Sequence, residues 1–178
     1  MKLPKIYKDK DVDFELIKNK CVAIIGYGNQ GRAQALNLRD SGVDVRIGLR
    51  EGSERRNDAG VDGLICLSIK EAVGSCDIIS ILIPDQVMGE VYKTEIDLYL
   101  QDGQTLLFSH GYNIHYKIIQ PPVHVNVVLS APSGAGTELR KRYTDRSGIP
   151  GLFAVHQDHS GDSEKIVLAY CGAIGLTK

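Results

Sequence analysis

The sequence predicts an α/β fold built on a doubly wound, mostly parallel sheet, and three observations predict it. A continuous apolar run, Cys21-Val-Ala-Ile-Ile25, lies between Lys20 and Gly26, as expected of a strand buried on both faces of a parallel sheet. The run passes directly into Gly26-Tyr-Gly-Asn-Gln-Gly31, and a helical pattern follows from Asn29 to about Asp40. Strand-like and helix-like segments then alternate along the rest of the chain, the order that builds a sheet covered by helices on both faces.

Further strands are expected at Val43–Ile47, Cys76–Ile83, Gln104–Phe108, Val123–Leu129 and Gly151–Val155, with turns marked by Gly, Pro, Asp and Ser between them. Helices are expected at about 29–40, 68–74, 85–94, 137–144 and 161–171, the last stopped by Gly172 as its C-cap. No internal repeat, low-complexity tract or flexible linker divides the chain, so residues 1–178 are expected to form one domain.

With 178 residues, 43% hydrophobic and 24% charged, such a domain has a sizeable core. The 21 Lys and Arg against 22 Asp and Glu leave a net charge of -1, which excludes the global basic field that draws proteins to nucleic acid or an anionic membrane. No apolar run approaches the ~20 residues needed to span a bilayer. The start Met1-Lys-Leu-Pro-Lys5 lacks both the apolar stretch of a signal peptide and the amphipathic pattern of a transit peptide, and reads as a mature amino terminus. Cys21, Cys66, Cys76 and Cys171 are scattered without a Cys-x-x-Cys pair, so a reduced, cytoplasmic protein is expected.

The hexapeptide Gly26, Tyr27, Gly28, Asn29, Gln30, Gly31 stands between a buried strand and a helix, the context that gives Gly-x-Gly-x-x-Gly its meaning as a dinucleotide-binding turn of the Rossmann type. Gly26 would permit the tight turn, Gly28 the approach of a pyrophosphate to the backbone, and Gly31 close packing of helix on strand. The first N–H groups of the helix would receive the phosphate charge. The bland alternative is a close strand-to-helix corner and nothing more.

An NAD site usually carries an Asp or Glu roughly 20 residues past the glycines, bound to the ribose 2′-hydroxyl. Here Gly48-Leu-Arg-Glu-Gly-Ser53-Glu-Arg-Arg56 places Arg50 where the acid would stand. Ser53 can add a hydroxyl, and Arg55 or Arg56 further charge. That set suits a 2′-phosphate and favours NADPH over NADH. Arg55 and Arg56 equally suit a solvated face offset by Glu51 and Glu54.

These segments, Ala23-Ile-Ile-Gly-Tyr-Gly-Asn-Gln-Gly31, Ala35-Leu-Asn-Leu-Arg-Asp-Ser-Gly42 and Gly48-Leu-Arg-Glu-Gly-Ser53, resemble the amino-terminal, NADPH-binding part of ketol-acid reductoisomerase. Leu82-Ile-Pro-Asp85, Ser109-His-Gly-Tyr-Asn-Ile-His115, Ala131-Pro132 and Gly148-Ile-Pro150 leading to Ala154-Val-His-Gln-Asp158 agree in order and spacing. The family rearranges 2-hydroxy-2-methyl-3-oxo acids such as acetolactate by a Mg²⁺-assisted alkyl shift. It then reduces the product with NADPH, in branched-chain amino-acid synthesis. The resemblance implies that Gly26, Gly28, Gly31, Arg50 and Ser53 hold NADPH, with Pro84 and Asp85 beside it. It also implies that His110 is the active-site histidine, a polar positioning group near substrate and nicotinamide. Without the resemblance, His110 reads as the cap of a helix beginning near Asn113. His115, His124, His156 and His159 keep such bland readings.

Two departures accompany the resemblance. The family's Mg²⁺ carboxylates belong to a helical carboxy-terminal domain that the chain is expected to lack. Glu90 and Glu95, or Asp158 and Asp162, read as surface or capping residues, so no metal ligand is assigned. The family's Pro-Lys-Gly-Pro-Gly turn reads Pro132-Ser133-Gly134-Ala135-Gly136, and serine supplies no positive charge. Mg²⁺ would therefore enter only with a helical domain supplied in cis or in trans. A truncated form of a complete enzyme, one half of a split enzyme, or a stand-alone relative would each account for this. The corresponding functions are an oxidoreductase domain completed by such helices and acting on an acetohydroxy acid, a stand-alone NADP(H)-binding or sensing module without catalysis, or a small NADP-dependent reductase completed as a homo-oligomer, with His110 as proton donor.

Overall fold

The computed structural model describes residues 5–178, and the reading of the first four residues lies outside them. Seven strands form one sheet in the order β3-β2-β1-β4-β5-β6-β7. They are β1 (Cys21–Ile25), β2 (Asp44–Gly48), β3 (Ile65–Leu67), β4 (Ile78–Ile81), β5 (Thr105–Phe108), β6 (Asn126–Pro132) and β7 (Gly151–Gln157). Six run parallel, and β7 closes the edge antiparallel to β6. The helices are α1 (Glu15–Lys18), α2 (Asn29–Asp40), α3 (Arg55–Val61), α4 (Ile69–Ser75), α5 (Asp85–Val91), α6 (Tyr112–His115), α7 (Gly136–Thr144) and α8 (Ser163–Ile174). This is the doubly wound α/β architecture that the sequence predicts.

The side-chain alternation of β1 divides the core between the two faces of the sheet. Val22 and Ile24 join Leu38 of α2 and Ile166 and Tyr170 of α8 on one face, with Ile17 of α1. Ala23 and Ile25 join Ile69 and Val73 of α4 and Met88 of α5 on the other. Both faces being covered explains why β1 reads as an unbroken apolar run. Local signals set several helix ends. Ser68 and Glu71 form a reciprocal capping box at the start of α4, the Ser68 N–H donating to Glu71 Oε2 at 2.9 Å. Asp158 accepts from the N–H groups of Gly161 and Ser163 ahead of α8.

Several expectations are corrected. Gly172 does not stop α8; the helix runs to Ile174 and ends on Gly175, whose φ of +95° is the left-handed C-cap. Gly172 lies inside the helix because a side chain there would meet Val12 and Phe14 at 2.9 to 3.0 Å. The strand expected at 123–129 begins at Asn126 and extends through Pro132, drawn on by pairing with β7. The helix expected at 85–94 leaves the α form after Val91 and continues as a π turn, Tyr92–Ile96. β3 and α3 were not anticipated: β3 has three residues at the sheet edge, and α3 buries Ala59 alone, so neither leaves an apolar period.

The cysteines also depart from the all-reduced reading. Pairing of Val22 with Ile78 brings Cys21 and Cys76 to a Cα–Cα distance of 4.6 Å, within disulfide range, and the two form a disulfide. Their separation of 55 residues hides the pairing from the sequence. Cys66 and Cys171 are free, and burial pushes the Cys171 thiol up to about 11, leaving it unreactive. No helix among the described residues is long and apolar enough to cross a membrane.

A chain of polar groups crosses the buried centre. The Tyr170 hydroxyl, fully buried, donates to Gln34 Oε1 at 2.8 Å and lies 3.1 Å from Ser80 Oγ in β4. Gln34 Nε2 in turn donates to Gln30 Oε1 and Ser109 Oγ. Tyr170→Phe leaves the buried Gln34 oxygen without its donor and is expected to cost about 1–3 kcal/mol. Urea unfolding should show a lower midpoint with an unchanged slope.

Candidate functional site

The parallel register sets the level at which the chain leaves the sheet. Ile25 pairs with Gly48 on one side and Ile81 on the other, Ile81 pairs with Phe108, and Phe108 with Leu129. The turns after β1, β2, β4 and β5 therefore emerge side by side at one carboxyl edge, where ligands collect in open α/β sheets. β1 and β4 flank the point at which the strand order reverses. Every site residue singled out from the sequence lies on this edge: 26–31 after β1, Arg50 and Ser53 after β2, Pro84 and Asp85 after β4, and His110 after β5.

In the glycine turn each position has a separate steric reason. Gly26 holds φ at +98°, and a Cβ there would meet Ile83 Cγ2 at 2.7 Å and the Leu82 carbonyl at 2.9 Å. A Cβ on Gly31 would collide with the Gly26 carbonyl oxygen, so α2 can sit this close to the turn only with glycine. Gly28 is different: its backbone is extended, it is exposed, and nothing lies within 4 Å of where a side chain would be. It is also the N-cap of α2, with no side chain capping the helix. The first N–H groups of a helix lack intrahelical acceptors and carry the positive end of its dipole. An uncapped twelve-residue helix behind an open glycine thus fits a phosphate group.

The remaining residues of the hexapeptide are anchored. The Tyr27 ring is buried and its hydroxyl donates to Asp62 Oδ2 at 2.7 Å, so this side chain is structural. Arg32 grips the same carboxylate with two bonds of 2.7 and 2.9 Å. The Arg32 guanidinium and the Tyr27 hydroxyl hold the Asp62 carboxyl below the usual carboxylate range, against the opposing effect of burial. Gln30 Nε2 donates to the Gly134 carbonyl at 2.9 Å, fixing α2 to the turn after β6. A cleft of about 580 Å³ beside the turn is lined by Tyr27, Gly28, Asn29, Arg32, Arg55 and Arg140 among others. Arg50, Ser53, Pro84 and His110 lie outside it, and Asp85 lines a separate cleft of about 520 Å³ with Gly89 and Tyr112.

After β2, the chain turns with Gly52 at φ +76° and the Ser53 N–H donating to the Arg50 carbonyl at 3.3 Å. Arg50 is exposed and has no ion-pair partner among the described residues, and Ser53 is half-exposed beside it. Neither neighbouring arginine is free in this way. Arg55 pairs with Asp58 at 3.0 Å, and Arg56 donates to the carbonyls of Leu49 and Leu67, tying β2 to β3. Arg56 is thereby engaged, whereas Arg55 keeps an exposed pair at the cleft beside the glycine turn, and Arg50 has no ion-pair partner among the described residues.

On the other side of the switch point, His110 Nδ1 lies 3.2 Å from Asp85 Oδ2, and its side chain is 69% exposed. As the capping alternative expects, His110 Nδ1 accepts from the N–H of Tyr112, the first residue of α6, at 3.3 Å, although the N-cap position itself is Gly111. Sequence reasoning missed Asn113. It is fully buried, its Nδ2 donates to Asp85 Oδ1 at 3.1 Å and to the Asp85 carbonyl at 3.3 Å, and its Oδ1 has no partner. Its only signal was its place three residues after His110. Ser133 is exposed at the end of β6, its N–H bonded to the Pro150 carbonyl. No group of three or more His, Cys, Asp or Glu side chains converges among the described residues, so these residues alone do not fit a Mg²⁺ site.

A family profile described as the NADPH-binding domain of acetohydroxy acid isomeroreductase matches residues 16–178. The chain belongs to this family. Within it, the chain is 51% identical over 174 residues to the ketol-acid reductoisomerase (NADP(+)) of Methanocaldococcus jannaschii, covering 98% of this chain and 53% of that protein. It is 48% identical over 178 residues to that of Pyrococcus abyssi, covering all of this chain and 54% of the relative. A solved structure of an NADH-preferring ketol-acid reductoisomerase from an uncultured archaeon superposes with a TM-score of 0.94 at 41% identity, covering 98% of this chain and 54% of that one. The chain thus spans about half the length of the family members it matches.

The second and third glycines of the turn should respond differently to substitution. Gly31→Ala is expected to destabilise the fold by about 1–3 kcal/mol through overpacking. Gly28→Val is expected to cost about 1 kcal/mol or less, as a poorer N-cap, and to weaken NADPH binding at least tenfold, because its side chain would fill the open space before α2. Thermal melts and cofactor titration on both variants check this.

Proposed function

We propose that this chain binds NADPH across its carboxyl edge and forms the cofactor-binding part of a ketol-acid reductoisomerase. The observation that carries the reading is the uncapped N-terminus of α2 behind the open Gly28, in a chain that matches the family's NADPH-binding domain. The pyrophosphate would lie against the N–H groups at Asn29, Gln30 and Gly31, with Tyr27 contributing backbone alone. Arg50 and Ser53 would take the 2′-phosphate, and Pro84 and Asp85 would border the nicotinamide half. NADPH, when bound, supplies the hydride that reduces the carbonyl of the rearranged acid.

The preference for NADPH over NADH rests on Arg50, because a relative 41% identical is described as NADH-preferring. An arginine fork can meet a dianionic 2′-phosphate with two charge-assisted bonds, whereas a 2′-hydroxyl offers it nothing comparable. His110, exposed beside Asp85, would contact the acetohydroxy acid as a polar positioning group. The alkyl shift needs a Lewis acid on neighbouring oxygens, and the Mg²⁺ site would come from a helical region in cis or in a complementary chain, or through self-association. A cytoplasmic setting belongs to the same reading, and there the Cys21–Cys76 pair would meet thiol reductants.

Ser133, where the family motif carries lysine, favours a second reading, a module that binds NADP(H) without turnover. Supplying a metal-binding helical domain with Mg²⁺ and acetolactate separates the two: NADPH oxidation supports the enzyme, and its persistent absence with cofactor bound supports the module. For the phosphate site, Arg50→Glu is expected to raise the Kd for NADPH at least tenfold, about 1.4 kcal/mol, and to change that for NADH much less. Titration of both cofactors at fixed ionic strength, followed by nicotinamide fluorescence, tests this; equal losses for both would count against a 2′-phosphate contact at Arg50.

A further inference from the structure

We propose that Asp85 and Asn113 are positioning residues for His110, holding its imidazole with the proton on Nδ1 and leaving Nε2 unprotonated and open. The pairing of Ile81 with Phe108 places the segments that follow β4 and β5 side by side, so that Asp85, the first residue of α5, faces His110. Both carboxylate oxygens are then committed: Oδ2 lies 3.2 Å from His110 Nδ1, and Oδ1 accepts from Asn113 Nδ2 at 3.1 Å.

Two groups compete for Nδ1. As the side chains stand, the Tyr112 N–H donates to it at 3.3 Å, a bond that needs Nδ1 to be a bare acceptor. A bare Nδ1, however, would turn its lone pair on the Asp85 carboxylate, while a protonated Nδ1 donates a charge-assisted bond to it, roughly twice as strong as a neutral one. Tyr112 is the first residue of α6, where an N–H has no intrahelical acceptor and water commonly takes that place. The carboxylate therefore decides the tautomer, as a second partner does for one ring nitrogen when the other is functional.

Asn113 supplies the independent support. It is completely buried, and its amide is turned so that Nδ2 meets two oxygens of Asp85 and the sulfur of Met88 while Oδ1 stays unpaired. The opposite orientation would set Oδ1 against the same oxygens. A buried side chain that leaves its acceptor unsatisfied in order to donate to Asp85 fixes where that carboxylate points. His110 Nε2 has no hydrogen-bond partner among the described residues, and the ring is mostly exposed. It is thus presented as an acceptor for a hydroxyl of the substrate. If a substrate O–H gives its proton to Nε2, the resulting imidazolium already directs its Nδ1–H at Asp85, and an alkoxide remains on the substrate.

That use rests on the proposed function; the tautomer does not. The 178-residue chain, labelled with ¹⁵N-histidine and held above the ordinary imidazole pKa of ~6.5, can be assigned by long-range ¹⁵N–¹H correlation, since bare and protonated ring nitrogens give well-separated shifts. The expected result is a protonated Nδ1 and a bare Nε2 for His110, with the proton shifting predominantly to Nε2 in Asp85→Ala and staying on Nδ1 in Glu90→Ala, a nearby carboxylate that does not touch the ring. A wild-type His110 protonated on Nε2 would overturn the proposal without recourse to any variant, as would an Asp85→Ala spectrum unchanged from wild type. The expected tautomer in a chain that binds no NADPH would support the positioning and sink only the cofactor reading.

Discussion

The close approach of α2 to the turn after β1 is the constraint on which the site depends. At Gly31 the helix backbone lies so near the Gly26 carbonyl that no Cβ fits between them. This contact sets the height of the first turn of α2 above the sheet and leaves Gly28 projecting into open space. A second glycine repeats the device one layer out, because Gly136, the first residue of α7, seats against the Asn29 carbonyl where a Cβ would also collide. Two helices are thereby brought within backbone distance of the turn, a close approach that packing permits only at glycine.

The polar chain beneath the turn holds these parts in register. Ser80, Tyr170, Gln34 and Gln30 run from β4 to the loop after β6, with Ser109 joining through its hydroxyl to the Ser130 carbonyl. Buried polar groups are costly unless partnered, so a sliding or rotated α2 would break several bonds together. On the outer flank the Tyr27–Asp62–Arg32 cluster does similar work between the turn and the end of α3, with Asp62 as its C-cap.

Legibility in the sequence followed the size of the buried apolar surface. β1 and α2 were read to the residue because four of the five residues of one are buried and the other follows an unambiguous turn. β3 and α3 went unseen because the sheet edge gives them little to bury. Gly172 and Gly175 could not be told apart, since both suit a helix end and only the contacts with Val12 and Phe14 decide between them. In the site, Arg50 was read from its spacing to the glycine motif and His110 from the family resemblance, while the contacts of Arg55, Arg56 and Asn113 were not legible. Those depend on which carbonyl or carboxylate another strand delivers, and on the Ile81–Phe108 register.

The bond between Gln34 and Tyr170 spans 136 residues. The glycine turn is complete in sequence by residue 31, yet the group that fixes its helix from below arrives with α8, after all seven strands. On a ribosome, β1 and α2 emerge before that partner and wait for it while the other six strands are made, with Gln34 solvated. Local contacts form the shape of the turn at once, whereas its alignment with the sheet must await the long-range closure, which is intrinsically slow. A nucleotide would therefore meet an aligned turn only after α8 has docked.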